Sequence, residues 1–399
     1  MAMRADHRNI LVLAACQALV QTGLVSIITA SGLAGHMLAT EKSLATLPVS
    51  FLMIGTMITT IPASLFMGRF GRRAGFWLGT LLGALGGVLG VISLINGWFW
   101  LFCFAHIFYG GYQGFAQFYR FAAAEAVASA FRSRAISYVL LGAAVAAVVG
   151  PHLVAYTKDF AASGAFVATY AIIVVLSLIA TIVVSFIDLP KPVEQKTAEK
   201  SRRISAIVAQ PTFLVAVTVA AIGFGVMNLA MTATPLAMAH HHHGLNETAF
   251  VIQWHVLGMF LPSFFTGNLI GRFGAPRIML AGVALLSSHV AIALSGVEFL
   301  HFASALVLLG VGWNFMYLGG TTLVTETYRP SEKAWAQGIF DFTVLTTVVI
   351  SSFASGALLH AFGWTGVNLL AVPLLIAAGA ALAAYMVWSR RPVARAPAE

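Results

Sequence analysis

The sequence MGRFGRRAG, at Met67 to Gly75, is the segment that decides the fold, because a close copy of it recurs later in the chain. The second copy reads IGRFGAPRI, at Ile270 to Ile278, and the four residues GRFG are identical in both. Each copy follows one long apolar run and precedes another. A repeat placed in this way between apolar segments is typical of membrane proteins built from two related halves.

The composition places the chain in a membrane. Of its 399 residues, 59% are hydrophobic and only 9% are charged, whereas soluble domains carry about 25% charged residues. The first apolar run lacks a small-residue cleavage site and is interpreted as a retained membrane helix rather than a signal peptide. Cys16 and Cys103 both lie in apolar runs without CxxC spacing, so neither a disulfide framework nor a thiol metal site is expected.

Apolar runs of spanning length predict an all-α membrane protein. A spanning helix needs about 20 apolar residues, and twelve such segments are found, six on either side of the polar stretch Lys191 to Arg203. The predicted helices lie near residues 10–34, 44–67, 75–95, 98–119, 135–157, 163–187, 212–237, 247–270, 277–296, 299–321, 336–359 and 365–388. This predicts a six-helix half over residues 1–190, a linker loop over 191–205 and a second six-helix half over 206–399.

The basic residues fix the orientation. When the loops are assigned to alternating sides, every Lys and Arg except Lys42 and Lys158 falls on the side of the two termini. The positive-inside rule therefore puts both termini and the linker in the cytoplasm. This placement also accounts for the net charge of +9, so the lipid bilayer is the expected partner and nucleic acid is not.

Four residues on the predicted helices seven and eight form a candidate metal site. Met227 and Met231 are spaced i, i+4, as are His255 and Met259, so each pair occupies one face of its helix. Thioether and neutral imidazole ligands suit Cu(I), and the lack of nearby carboxylates disfavours magnesium, calcium and manganese. The alternative is that the methionines only pack, while His255 bonds a neighbouring helix through a partner such as Asn228 or Gln253.

Other polar residues are weaker candidates. The run His240 to His243 is expected at the outer mouth of this helix pair, either as a metal-collecting funnel or as a merely polar loop. His152 follows Gly150-Pro151 and is expected to line the cavity of the first half. Arg120 and Glu125 are interpreted as an ion pair at the cytoplasmic end of helix four. Asp341 is the acid best placed for proton coupling, unless it only contacts the dipole at the start of its helix.

The chain resembles the major facilitator superfamily. The loop between helices two and three of that family carries G-x-L-x-D-R-x-G-R-R, and this chain has SLFMGRFGRR at Ser64 to Arg73, with Gly68 in place of the acid. The resemblance implies transport by alternating access between the two halves. Gly150-Pro151 belongs to a pattern of drug exporters in that family, but the double glycine that should follow is replaced by Val154 and Ala155.

Within that superfamily, the pairs Met227-xxx-Met231 and His255-xxx-Met259 resemble the signature of the CcoA-like copper importers (the CalT family). The similarity extends to the run HVLGMFLPSFFTGNLIGRFG, at His255 to Gly274. It implies that these four residues bind copper as transported substrate, with no prosthetic group. It also implies import across the bacterial cytoplasmic membrane for assembly of cbb3-type cytochrome c oxidase, and a periplasmic or cytoplasmic copper chaperone as a possible partner.

Other functions remain open from the sequence. The runner-up is a riboflavin importer of the neighbouring RfnT-like family, in which aromatic side chains stack on the isoalloxazine ring and the Met and His residues only line the cavity. A drug or organic-anion exporter comes third, and a non-transporting metal sensor last. The motifs GxSxG and GxxxxGK[ST] are both absent from the sequence, so an enzyme is not expected.

Overall fold

The computed structural model describes residues 2–41, 44, 47–162, 164–189 and 202–389, and the long regular elements of this part are α-helices. Those of the first half are α1 (Ala2–Leu38), α2 (Leu47–Phe70), α3 (Arg72–Asn96), α4 (Phe99–Ala116), α5 (Tyr119–Glu125), α6 (Arg132–Gly142), α7 (Ala144–Thr157) and α8 (Val167–Val184). The predicted helix four corresponds to α4 with α5, and helix five to α6 with α7.

The second half follows the same plan. Its helices are α9 (Ile204–Val208), α10 (Pro211–His240), α11 (Leu245–Phe260), α12 (Ser263–Phe273), α13 (Ala275–Ser295), α14 (Phe299–Val324) and α15 (Lys333–Ser389). The predicted helix eight is α11 with α12, which separate at Leu261 and Pro262 because proline lacks the N–H that would continue the helix.

The last helix contains two of the predicted crossings. At 1.5 Å per residue, the 57 residues of α15 would extend about 85 Å, against a hydrocarbon core of about 30 Å. The break is at Gly363, whose φ of 65° and ψ of −171° leave the helical region. Ten helices of the described chain are long and apolar enough to cross a membrane, and α15 is one of them. Helix α4 is not among these ten and packs between α2 and α3. These helices match the twelve predicted segments.

Packing within each half is repeated. In the first half α4 packs against α2 and α3, and in the second half α14 packs against α11 and α13 in the same way. A Cβ atom on Gly110 of α4 would overlap the carbonyl oxygen of Leu52 in α2. A Cβ atom on Gly310 of α14 would lie 2.5 Å from the carbonyl oxygen of His255 in α11. Glycine therefore permits the same close helix contact in both halves.

The predicted linker, residues 191–205, lies mostly outside the described residues, and the half boundaries stay predictions. Where the described chain resumes, Arg202 bonds the buried carboxylate of Glu332, with Nη2–Oε2 at 2.6 Å and Nε–Oε1 at 2.9 Å. The backbone N–H of Arg329 also donates to Glu332, at 3.0 Å. Glu332 precedes α15, outside the membrane-spanning segments, and the hydrogen bonds from the Arg202 side chain lower its pKa to about 2.

We predict that Gly110→Ala destabilises the protein by about 1–3 kcal/mol, because the added methyl group overpacks the contact between α4 and α2. The matched control is Gly32→Ala on α1, where a Cβ atom meets nothing within 4 Å and helix propensity adds up to about 1 kcal/mol of stability. The measurement is the melting temperature of both variants in detergent. Equal shifts of the same sign would contradict the close contact.

The ion pair at Glu332 should give stability that depends on pH. Its carboxylate is stabilised in the folded state, so this contribution is complete above the ordinary glutamate pKa of about 4.3 and is lost as the pH falls toward 2. Glu332→Gln should lower the melting temperature at pH 7 and flatten its decline between pH 5 and pH 3. The exposed Glu298 provides the control, because Glu298→Gln should keep the wild-type decline. Parallel curves for wild type and Glu332→Gln would refute this role.

Candidate functional site

The two predicted ligand pairs lie on helices that a third helix separates. Met227 and Met231 are on α10, and His255 and Met259 are on α11. Helix α14 packs extensively against both α10 and α11, which contact each other little. Met227, His255 and Met259 are buried and Met231 is half-buried. The convergence of the four side chains on one ion stays a prediction.

His255 is held by the backbone of α14. Its Nδ1 donates to the carbonyl oxygen of Leu306 at 2.8 Å, and its ring is fully buried. The two alternative partners predicted from the sequence, Asn228 and Gln253, were wrong. Asn228 instead donates to Ser352 of α15 at 2.8 Å, and Gln253 is on the exposed side of α11. The Nε2 atom of His255 has no hydrogen-bond partner within the described chain.

Met259 is also held against α14, through its main chain. Its carbonyl oxygen accepts a hydrogen bond from Asn314 Nδ2 at 2.8 Å, and the same amide donates to Ser263 Oγ at 2.7 Å. Among the described residues, no group of three or more His, Cys, Asp or Glu side chains is placed to hold a metal ion. A copper site on these helices would therefore rely on the thioethers together with His255.

The histidine run lies partly on the protein surface and partly against α14. Helix α10 continues through His240, beyond its predicted end at residue 237. His243 Nε2 donates to the carbonyl oxygen of Val297 at 2.8 Å, and its ring centroid lies 5.5 Å from that of Phe302. One imidazole thus fastens the loop to the start of α14, and a metal-collecting role for the run stays a prediction.

Two histidines of the first half, His106 and His152, hydrogen-bond to protein groups near them. His106 is buried, with Nε2 2.7 Å from Ser31 Oγ and 3.0 Å from the hydroxyl of Tyr170. His152 is exposed, and its Nδ1 donates to the carbonyl oxygen of Val148 in its own helix at 2.8 Å. The expectation that His152 lines the cavity is therefore not supported by its position.

A cluster of aromatic side chains lies where the two halves meet. Trp313 and Tyr317, one turn apart on α14, stack with centroids 5.1 Å apart and planes at 18°. Phe224 of α10 contacts both rings edge-on, with centroids 5.1 Å from Trp313 and 5.2 Å from Tyr317. Phe260 of α11 approaches Trp313 at 5.8 Å. These four residues are named the aromatic cluster, and Trp313 Nε1 is buried without a partner in the described chain.

A buried ion pair lies beside the aromatic cluster. Arg120 of α5 bonds Asp341 of α15, and both side chains are almost completely buried. The guanidinium carbon of Arg120 lies 4.8 Å from the ring centroid of Tyr317. Gln117 links the same groups, because its Oε1 accepts from Arg120 at 2.8 Å and from the Tyr317 hydroxyl at 3.2 Å. The pair therefore connects the first half to the second.

These contacts correct two predictions. Arg120 does not pair with Glu125, because residues five apart point to different sides of a helix. Glu125 instead bonds Arg72 at 2.6 Å and Lys333 at 3.1 Å. Asp341 is not at a helix start either, because α15 begins at Lys333, about 12 Å before it at 1.5 Å per residue.

Polar contacts close the predicted cytoplasmic end between the halves. Arg72, from the repeated loop sequence, donates to Gln337 Oε1 at 2.5 Å as well as to Glu125. Ser64 Oγ of α2 donates to the carbonyl oxygen of Ala334 at 2.6 Å. These bonds join α2, α3 and α5 to the first turns of α15.

A second set of contacts joins α6 to α12 at the same end. Ser133 Oγ donates to the carbonyl oxygen of Gly267 at 2.9 Å, and Ser137 Oγ donates to that of Ser263. A Cβ atom on Gly267 would lie 2.7 Å from the Ser133 carbonyl oxygen. The two helices therefore touch along their backbones and form a second contact between the halves at the predicted cytoplasmic end.

The chemistry of these side chains suits a flat aromatic compound that carries hydrogen-bonding groups. The aromatic cluster offers stacking surfaces, and Trp313 Nε1 and Gln117 offer polar atoms beside them. In the first half, Gln113 Nε2 donates to Gln21 Oε1 at 3.1 Å, which places two more amides between α4 and α1. Trp313 and Tyr317 were not predicted from the sequence, although their i, i+4 spacing in the segment WNFMY, residues 313–317, puts both on one face of a helix.

Comparison with known proteins identifies the family. The sequence pattern of the family described as "Major Facilitator Superfamily" matches this chain over residues 10–262 and 220–399. The riboflavin transporter RfnT of Brucella anthropi is 40% identical over 93% of this chain and 94% of its own. The uncharacterized MFS-type transporter YddS of Bacillus subtilis is 32% identical over 84% of this chain and 80% of its own.

Solved structures share the fold at low identity. The transporter FucP in the outward conformation is 16% identical and covers 94% of this chain and 98% of its own, with a TM-score of 0.74. The human organic anion transporter MFSD10 is 12% identical, covers 94% of this chain and 99% of its own, and has a TM-score of 0.79. The chain, a multi-pass membrane transporter of two packed helical halves, belongs to the Major Facilitator Superfamily.

Proposed function

We propose that this protein imports riboflavin across the bacterial cytoplasmic membrane by alternating access. The observation that carries the proposal is the 40% identity to a riboflavin transporter, which extends over nearly the full length of both chains. The aligned region covers both halves and therefore includes the helices that surround the aromatic cluster. The cluster supports the proposal independently, through its chemistry.

The aromatic cluster suits the isoalloxazine ring of a flavin. Stacked and edge-to-face aromatic contacts are worth about 0.5–1.5 kcal/mol each beyond the area they bury. Trp313, Tyr317 and Phe224 are already arranged in these two geometries. The indole N–H of Trp313, which lacks a partner in the described chain, can donate to a carbonyl or ring nitrogen on the polar edge of the flavin.

The amides of the first half suit the rest of the molecule. The ribityl chain carries hydroxyl groups that both donate and accept hydrogen bonds, and amide side chains do the same. Gln21, Gln113 and Gln117 lie on α1 and at the cytoplasmic end of α4. A flavin stacked on the second half would reach these amides on the first, so that both halves hold one substrate.

Copper import, the function favoured by the sequence analysis, is not supported by the relatives. In the riboflavin proposal, His255 orders α11 against α14 through its bond to Leu306. The buried Met227 and Met259, with the half-buried Met231, then fill space around the site as ordinary apolar side chains. The supply of copper to an oxidase belongs to that less supported hypothesis. So does a copper chaperone as partner.

We predict that Trp313→Ala lowers uptake of radiolabelled riboflavin by about tenfold or more, because it removes the stacking surface and an N–H donor. Trp313→Phe should retain part of the uptake, since one aromatic ring remains. The assay uses cells that express the chain and lack other riboflavin uptake, with membrane amounts of each variant measured in parallel.

Trp254→Ala is the matched control, because this tryptophan is exposed on the outside of α11, away from the aromatic cluster. It should leave riboflavin uptake unchanged, and excess copper should not compete with riboflavin in any variant. Copper accumulation that is lost in Met231→Ala, in cells that take up no riboflavin, would overturn the proposal in favour of the four-ligand copper site.

A further inference from the structure

One face of α10 is left partly open by the helices that pack on it. Phe224, Asn228 and Met231 are half-buried, whereas the other residues between Phe224 and Met231 are buried. Pro235, one turn further along the same face, is exposed. The spacing i, i+4, i+7 and i+11 puts these four residues in line along one side of a helix. They are named the α10 stripe.

The α10 stripe begins at the aromatic cluster. Phe224 belongs to that cluster and contacts both Trp313 and Tyr317 edge-on. Asn228 lies one turn further along α10, which at 1.5 Å per residue is about 6 Å closer to the predicted outer end. Side chains four residues apart are neighbours on one helix face. Asn228 therefore lies beside the surface proposed for flavin stacking.

The contacts of Asn228 with α15 orient its amide group. Nδ2 donates to the carbonyl oxygen of Val348 at 3.2 Å, and a carbonyl oxygen can only accept. Nδ2 also donates to Ser351 Oγ at 3.0 Å and to Ser352 Oγ at 2.8 Å. The hydroxyl of Ser351 gives its own proton to Val348 at 2.9 Å, so it must accept from Asn228. The amide nitrogen is therefore the atom that faces α15.

The oxygen of the same amide is left for a ligand. Oδ1 of Asn228 accepts no hydrogen bond within the described part of the chain. It is not among the fully buried polar atoms that lack a partner, so it is open to space beside the α10 stripe. Trp313 Nε1, in the neighbouring aromatic cluster, is a buried donor without a partner in that part of the chain. The site thus offers one acceptor and one donor.

This acceptor and this donor match the imide edge of a flavin. The oxidised isoalloxazine ring has a single N–H group, at N3, and a carbonyl group lies on either side of it. Asn228 Oδ1 can accept from that N–H, and Trp313 Nε1 can donate to a neighbouring carbonyl oxygen. Stacking on the aromatic cluster would hold the ring in the plane where both bonds form.

We propose that Asn228 determines substrate specificity by accepting a hydrogen bond from the imide N–H of the flavin ring. The proposal rests on the riboflavin function and names the part of the substrate that the site selects. Because three bonds to α15 hold the amide nitrogen, Asn228 presents an acceptor and no donor. A ring without the N–H leaves this acceptor unpaired, and sites built for a substrate N–H strongly reject analogues that lack it.

The test compares riboflavin with 3-methylriboflavin, in which a methyl group replaces the hydrogen on N3. Binding of each compound to the purified full chain is measured by quenching of the flavin fluorescence. Wild-type protein should bind riboflavin at least about tenfold more tightly than 3-methylriboflavin. Asn228→Ala should weaken riboflavin binding about tenfold and bind both compounds within about twofold of each other, since alanine supplies neither the acceptor nor the bulk that opposes the methyl group.

Asn228→Leu is the second variant, because leucine branches at Cγ as asparagine does but carries no acceptor. It should lose the preference for riboflavin as well. The matched control is Asn96→Ala, since Asn96 is exposed at the end of α3 and donates to the carbonyl oxygen of Ile92 in its own helix at 2.8 Å. This control should keep the wild-type affinity for both compounds. Melting temperatures establish which variants are folded.

Each outcome separates the role of Asn228 from the riboflavin function. Folded wild-type protein that binds neither compound would overturn the riboflavin function itself. Equal binding of both compounds by wild-type protein, or an unchanged preference in a folded Asn228 variant, would overturn the role of Asn228 and leave the riboflavin function standing. Loss of folding in both variants would assign Asn228 to the packing of α10 on α15 and would likewise overturn its role in specificity.

Discussion

The buried ion pair between Arg120 and Asp341 is the interaction on which the arrangement of the two halves depends. Each charge comes from a different half, and each would be costly in hydrocarbon without the other. The polar contacts of Arg72 and of Ser133 also join the two halves. A transporter must break such contacts in every cycle, so their composition determines what can trigger opening.

Helix α14 connects this closure to the proposed binding site. Gly310 lets its backbone touch α11, Asn314 fastens it to α11 through the carbonyl of Met259, and Tyr317 contacts Arg120 of the other half. The flavin that we propose to stack on Trp313 and Tyr317 would lie beside the ion pair, because Arg120 is 4.8 Å from the Tyr317 ring. The same helix packs against both α10, which carries Met227 and Met231, and α11, which carries His255 and Met259.

Much of the fold could be predicted from the sequence, because hydrocarbon demands long apolar helices. The orientation that follows from the positive-inside rule stays a prediction. The repeated GRFG loops indicated two related halves, and α4 and α14 pack against their neighbours in the same way. The positions of the site residues relative to one another were harder to predict from the sequence. Helices seven and eight are consecutive in sequence, yet their rotation and the insertion of α14 between them depend on close contacts such as that of Gly310. Likewise, the partner of Arg120 is 221 residues away and no local spacing indicates it.

The central claim is that the aromatic cluster binds a flavin, and direct binding tests it most simply. Riboflavin fluorescence is measured as purified protein is added, in the presence of a copper chelator, because stacking on Trp313 and Tyr317 should quench the flavin emission. The account predicts saturable quenching by the wild-type protein and by Trp254→Ala, and its loss in Trp313→Ala. Unchanged fluorescence with folded wild-type protein, together with stoichiometric Cu(I) binding that Met227→Ala abolishes, would contradict it.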